Sequence, residues 1–380
     1  MKNRIHAILI LLAIVALPSI ASTAMTEDST AAAATATAAD TPTTADTAAA
    51  PVIAPVIAAV PSAGTRQFSA EAQLPTGEPI TATIVGTPSD EGRAKAALSN
   101  AISRAQQFFG EFFSTGGVAN QLDSLGKGKE LELSPTGFEF ISRAVTLGKQ
   151  TDGFFDIAGP SPKHLFMKSD SRRISLNSEK RTISFKSDDM KLDLGRIALG
   201  YACDLMMETI SADGFANASV STGPVTRNIG RDIYTPWDVV VGFGETTSTG
   251  AHRAYRYGVS NVATATVSPD GIGRGLIDPL NKKEVAVADG LRSVTVIASN
   301  AMNATAFALA AYTVGPEYAM KYVMGHTSIR GIIVDGQGNL VASKNMIVEG
   351  VPYEKRMNEQ TASDGGPNDQ KQRELEEKSE

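Results

Sequence analysis

Apolar side chains recur along this chain in two periods, and the period separates helix from strand. Leu98, Ile102, Ala105, Phe109 and Phe112 follow one another at spacings of four and three, which lines them up on one face of a helix. Ser89 is placed to cap that helix. The cluster Phe108, Phe109, Phe112 and Phe113 reads as core. A second helix starts at Ser134-Pro135, with serine as cap and proline in the first turn, and Phe138, Ile141, Val145 and Gly148 line one face of it. Residues 114–125 between the two read as a loop. Short β-branched runs bounded by glycine and polar residues predict strands at 80–86, 218–221, 238–243 and 294–298, with further strands over 255–267. RISLNSEKRTISF (173–185) reads as a hairpin turning at 177–180, and GIIVDGQGNLVAS (331–343) as another turning at 335–339. Residues 303–314 predict a helix rich in small side chains, and Pro316 opens a short one. There is no fixed-period repeat and no regular strand–helix alternation. The expected class is therefore α+β, with mixed or antiparallel sheets packed against helices.

The stretch KLDLGRIALGYACDLMMETISA (191–212) organises the rest. It opens as a short strand, breaks at Gly195, and predicts a helix beginning near Gly200, with Ala202, Leu205, Met206 and Thr209 at helical spacing. A strand passing through a glycine turn into a helix aims backbone N–H groups at one point, which suits a phosphate. An ordinary connector has the same pattern.

The ends of the chain carry a different composition. Residues 1–24 join Lys2 and Arg4 to an apolar run at 7–17 that is too short to span a membrane, followed by Ser22-Thr23-Ala24. This is the pattern of a secretory signal peptide and predicts export to a bacterial periplasm, with no transmembrane span in the mature chain; an uncleaved anchor is the alternative. No cysteine lies near the junction for lipid attachment. Residues 25–65, dominated by Ala, Thr and Pro, read as a disordered tether, and residues 354–380 as a charged, disordered tail. The folded domain is expected over 66–353. The net charge of -6, without a basic run interleaved with aromatics, gives no sign of a nucleic-acid partner. Cys203 is the single cysteine, so no internal disulfide forms, and a packed thiol is expected. The four histidines lack metal-ligand spacing, and no nucleophile elbow, dinucleotide fingerprint or P-loop is present.

DLGRIALGYACD (193–204) resembles the D-L-G-G-I-A-K-G-Y-A-x-D segment of the ApbE-like FAD:protein FMN transferases. TDGFFD (151–156), NVAT (261–264), LIDP (276–279) and VTVIASNAMNATAFALAAYTVGPE (294–317) resemble further segments of that family in the same order. The resemblance implies an ApbE-like (T-fold-like) architecture. It also implies a reaction in which a Ser or Thr hydroxyl of a partner protein attacks the FAD pyrophosphate, taking FMN and releasing AMP, with Mg²⁺ neutralising the phosphates. On the same basis Asp193, Ala198, Gly200 and Asp204 are the candidate cofactor-binding residues. Asp193 and Asp204 flank the turn and reach flavin or adenine edges, and Ala198 offers a backbone carbonyl to the metal. A helix-surface charge is the other reading of Asp204. Asp156 reads first as a structural cap, and Asn120 is the nearest match to a flavin-side loop residue.

Several positions depart from the family's pattern. Two metal ligands come from D-x-x-x-T on one helix face, but alignment places Thr305 at the Asp and Leu309 at the Thr. Leu199 stands for a lysine, Gly275 for a histidine, and Gly223-Pro224-Val225 for a Gly-Gly-Asp turn. Arg196, Arg227 and Arg274 are candidates to replace lost positive charge; surface arginines are the other reading. Asp270 and Asp278 lack the spacing of a displaced metal site. The expectation is an exported family member with lost or impaired Mg²⁺-dependent transfer. It would retain binding of FAD, a related nucleotide, or a protein partner such as a periplasmic flavoprotein, and would bind Mg²⁺ only if the altered ligands still hold it. The alternatives are an active transferase moving FMN to a Ser or Thr of a periplasmic protein, and an unrelated exported scaffold or binding protein.

Overall fold

The computed structural model describes residues 64–159, 171–188, 190–246, 252–280, 283–285, 291–344 and 349–352. The expected signal peptide, nearly all of the tether, and the tail lie outside them. In chain order the strands are β1 (Arg66–Gln73), β2 (Pro79–Gly86), β3 (Glu130–Glu132), β4 (Ala158–Gly159), β5 (Ile174–Asn177), β6 (Thr182–Phe185), β7 (Lys191–Leu192), β8 (Ala218–Thr222), β9 (Val225–Ile229), β10 (Trp237–Thr246), β11 (His252–Val259), β12 (Val262–Val267), β13 (Leu291–Ala298), β14 (Arg330–Asp335), β15 (Leu340–Ala342) and β16 (Glu349–Pro352). The helices are α1 (Glu91–Phe113), α2 (Val118–Asp123), α3 (Pro135–Gln150), α4 (Gly195–Ala212), α5 (Ala301–Thr313) and α6 (Ala319–Gly325).

One antiparallel sheet of eight strands, in the order β1-β2-β8-β9-β12-β13-β14-β15, carries the fold. Side chains alternate across a strand, so Ile80, Ala82, Ile84, Val220, Ala263, Ala265, Val294 and Val296 point to one face and join the main core. There α1 packs on β1 and β2, α4 on β8 and β9, and α5 on β12 and β13. Val85, Val262, Ile297, Ile332 and Val334 point to the other face and pack with Trp237, Val239, Tyr257 and Val259. Burial on both faces explains why β13 reads as an unbroken apolar run. The class is α+β, as expected. Among the described residues three small sheets accompany it: β10-β11-β16, β3-β6-β5 and β4-β7.

The aromatic cluster joins α1, α3 and α4. The Phe108 ring lies 5.0 Å from Phe112, 5.0 Å from Phe140 and 5.1 Å from Tyr201. Ser134 caps α3 as expected, its Oγ accepting from the Gly137 N–H at 3.0 Å. Both hairpins form in the expected places.

Four local expectations are corrected. The helix of the organising stretch begins at Gly195, five residues before Gly200; glycine at a first helical position breaks no intrahelical bond, because that N–H has no partner in the helix. Ser89 does not cap α1. A 3-10 turn at Pro88–Asp90 precedes the helix, and the Asp90 carboxylate takes the Thr87 N–H at 3.0 Å and hydroxyl at 2.7 Å. The 114–125 loop contains α2, where Asn120 is exposed and accepts from the Gly116 N–H. Pro316 lies in a turn and α6 starts only at Ala319, while α5 begins at Ala301.

Candidate functional site

A cavity of about 60 Å³ sits beside the first turn of α4. Asp193 and Arg196 line it from that turn, Asp156 from the turn after α3, Leu276 and Ile277 from the loop after β12, and Leu309 from α5. Phe154, Phe155 and Pro279 supply the remaining apolar wall. No side chain caps α4, whose start borders the cavity through Asp193 and Arg196.

Three charged side chains lining the cavity are engaged within the protein. Arg196 donates from Nε to the Ile272 carbonyl at 2.8 Å and from Nη2 to the Arg274 carbonyl at 2.7 Å, and its Nη1 pairs with Asp193. Asp156 accepts from the Ala158 N–H at 2.7 Å and from the Ser171 N–H at 3.2 Å, the structural role its position suggested.

The sequence candidates separate. Asp193 reaches the cavity. Ala198 and Gly200 are buried in the body of α4. Gly200 lies so close to α5 that an added Cβ would stand 2.6 Å from Thr305 Oγ1 and 2.7 Å from the Ala301 carbonyl oxygen. Asp204 is fully buried, which overturns the surface-charge reading. Its carboxylate accepts from the Ala301 N–H at 2.8 Å and the Met302 N–H at 3.1 Å, and pairs with Arg227 at 2.8 Å and Arg143 at 3.2 Å. It thus anchors the start of α5 and is not among the residues lining the cavity.

The geometry can be set beside known proteins. The model of the ApbE family matches residues 76–333. This chain belongs to the ApbE family. It is 24% identical over 223 residues to the FAD:protein FMN transferase of Haemophilus influenzae, a match covering 50% of this chain and 64% of that protein's length. The chain thus spans a little under two thirds of that relative. Its fold is shared with the apo flavinyl transferase ApbE of Pseudomonas stutzeri, with a TM-score of 0.61 at 18% identity over 74% of this chain and 95% of that one. The ApbE protein of Thermotoga maritima is similar too, with a TM-score of 0.59 at 19% identity over 73% and 97% of the two chains. The reading of this chain as an unrelated scaffold falls with the family match.

Thr305 and Leu309, the two positions that the sequence resemblance matches to metal ligands, offer no carboxylate to a magnesium ion. Mg²⁺ requires hard oxygen ligands in near-octahedral array. Leu309 is buried at the cavity wall and has no ligating atom. Thr305 is fully buried, and its hydroxyl donates to the Ala301 carbonyl of its own helix at 2.8 Å. Among the described residues no group of three or more His, Cys, Asp or Glu side chains is arranged to hold a metal.

Two of the three candidate arginines are engaged within the protein. Arg196 clamps loop carbonyls, and Arg227 serves Asp204, so neither is the surface arginine or the free anion ligand expected; of the three, Arg274 alone is exposed. Gly275 has a positive φ of 63° in the same loop. Gly223 turns the β8–β9 hairpin at a φ of 66°, and Pro224 gives its carbonyl to the Thr266 N–H. Cys203 is packed as expected: burial pushes its thiol up to about 12, and it lies 3.3 Å from the Thr222 hydroxyl. Arg143 and Asn300 help to hold Asp204 and the start of α5; Asn300 lies in the family-like segment 294–317 as the cap of α5, while Arg143 lies in no such segment. For Arg143 only the i, i+4 pairing with Glu139 was legible.

Proposed function

We propose that this ApbE-family protein is exported and has lost, or retains only weakly, the Mg²⁺-dependent transfer of FMN from FAD. It keeps the binding of a flavin nucleotide, or of a protein partner, at the cavity beside α4. Leu309 carries this reading. A hydrocarbon side chain on the cavity wall stands where the family pattern supplies an oxygen, and Thr305 one turn earlier turns its hydroxyl onto its own backbone. A divalent cation there would lose hydration oxygens without replacement, which costs far more than one neutral hydroxyl returns. No step through the metal follows from these residues. Retained binding is supported by the uncapped start of α4, which suits a phosphate, and by Asp193 and the Phe154–Phe155 wall, which suit the polar edge and flat face of a heteroaromatic ring.

The test is incubation of the purified protein with FAD, Mg²⁺ and a peptide carrying the family's Ser/Thr acceptor motif. Mass spectrometry is expected to show no FMN adduct, while calorimetry with FAD detects binding. An adduct formed at the rate of an active family member overturns the proposal. Periplasmic location is read separately, by fractionating cells that express the full chain.

A further inference from the structure

Arg196 stands where the family segment it resembles has glycine, and it makes three contacts beside the cavity it lines. Two of its nitrogens hold the carbonyls of Ile272 and Arg274, and the third pairs with Asp193. Those carbonyls belong to a loop that turns on itself. The N–H groups of Gly271 and Gly273 both bond to the Ser268 carbonyl, Arg274 N–H bonds to Gly271, and Leu276 N–H bonds to Gly273. The loop is therefore a compact unit, bonded to the first turn of α4 through the Arg196 side chain and packed on the main core through Ile272 and Leu276; Leu276 and Ile277 form part of the cavity wall. The space itself is small, about 60 Å³, against roughly 300–1,000 Å³ for typical small-molecule pockets.

We propose that Arg196 is a strap that closes the cavity by holding residues 271–275 against the first turn of α4, so that a ligand enters only when this guanidinium releases the loop. The planar fork is suited to the task because its fixed, widely spaced donors reach two carbonyls and a carboxylate from three separate nitrogens, whereas an ammonium offers its donors from a single atom. Asp193 holds the same guanidinium, so a phosphate-bearing ligand arriving in that corner competes with Asp193 for Arg196. This last point rests on the flavin-nucleotide reading above; the strap itself does not.

Thiol labelling measures the gate without any nucleotide. Leu309→Cys places a thiol on the cavity wall, and the only natural cysteine, Cys203, is fully buried with its thiol raised to about 12, so it gives little background. The rate of maleimide labelling is compared in the Leu309→Cys protein with Arg196 intact, with Arg196→Gly, and with Arg196→Lys. Labelling is expected to be about ten-fold or more faster in Arg196→Gly, because local opening no longer breaks charge-assisted bonds. Arg196→Lys, which keeps the charge and guards against a variant that fails to fold, should fall between. Equal rates in all three overturn the strap. FAD titration of the same proteins is read independently. If FAD binds neither the protein with Arg196 intact nor the Arg196→Gly variant while labelling accelerates, the strap stands and the flavin reading fails.

Discussion

Removal of the Asp204 carboxylate is expected to cost stability without touching ligand contacts. Helix α5 is buried along almost its whole length, so its four leading N–H groups have no route to water and need protein partners. The Asp204 carboxylate takes those of Ala301 and Met302, the Asn300 side chain takes that of Asn303, and the Asn300 carbonyl takes that of Ala304. Asp204→Ala leaves two buried N–H groups orphaned, at about 1–3 kcal/mol each. It also strips a partner from Arg227 and Arg143, whose side chains are 23% and 28% exposed and recover part of the loss from solvent. The terms overlap, and a total of about 3–5 kcal/mol is expected, a large share of the roughly 5–15 kcal/mol typical of a folded domain. Asp204→Asn keeps one acceptor and should cost less. Urea unfolding followed by the fluorescence of Trp237, the single tryptophan, reads the change, and a double-mutant cycle with Arg227→Met separates the ion pair from the helix N–H groups. A loss below about 1 kcal/mol for Asp204→Ala would refute the accounting. Weakened FAD binding by Asp204→Asn at an unmoved urea midpoint would restore Asp204 as a ligand residue.

Gly200→Ala should destabilise by about 1–3 kcal/mol or more, because the new methyl stands 2.6 Å from Thr305 Oγ1, 2.7 Å from the Ala301 oxygen and 2.9 Å from the Met302 Cα. The urea midpoint reads this too, and Thr305→Ala should rescue only part of it, since the other two clashes are with backbone. Thr305→Asp combined with Leu309→Thr should create a Mg²⁺-dependent rise in thermal stability, about 2.7 kcal/mol at a hundred-fold excess over Kd. The natural chain should show none, and an equal response from both would mean that these two positions do not face a metal site.

Much of the fold was legible because its cues are local. Ser134-Pro135 and the alternating hairpin strands carry their own geometry, and α1 announces itself by period. The cues failed where local chemistry admits two outcomes. Gly195 reads equally as a breaker or as a first helical residue, and the bonding of Asp90 to Thr87 decided where α1 begins. At the site, segments picked out by motif likeness meet, with Asp193, Phe154, Leu276 and Leu309 lining one cavity. Motif likeness could not assign roles within them, since role depends on partners far along the chain. The two acidic residues of the DLGRIALGYACD segment look alike in sequence, yet one meets the cavity through Arg196 and the other is consumed by the start of α5. Thr305 and Arg196 show why single substitutions read alone mislead. A lost carboxylate suggests a vacant metal corner and a gained guanidinium suggests its replacement. The structure instead spends the hydroxyl on a helix carbonyl and the guanidinium on a loop, so each change is absorbed by nearby backbone before any ligand arrives.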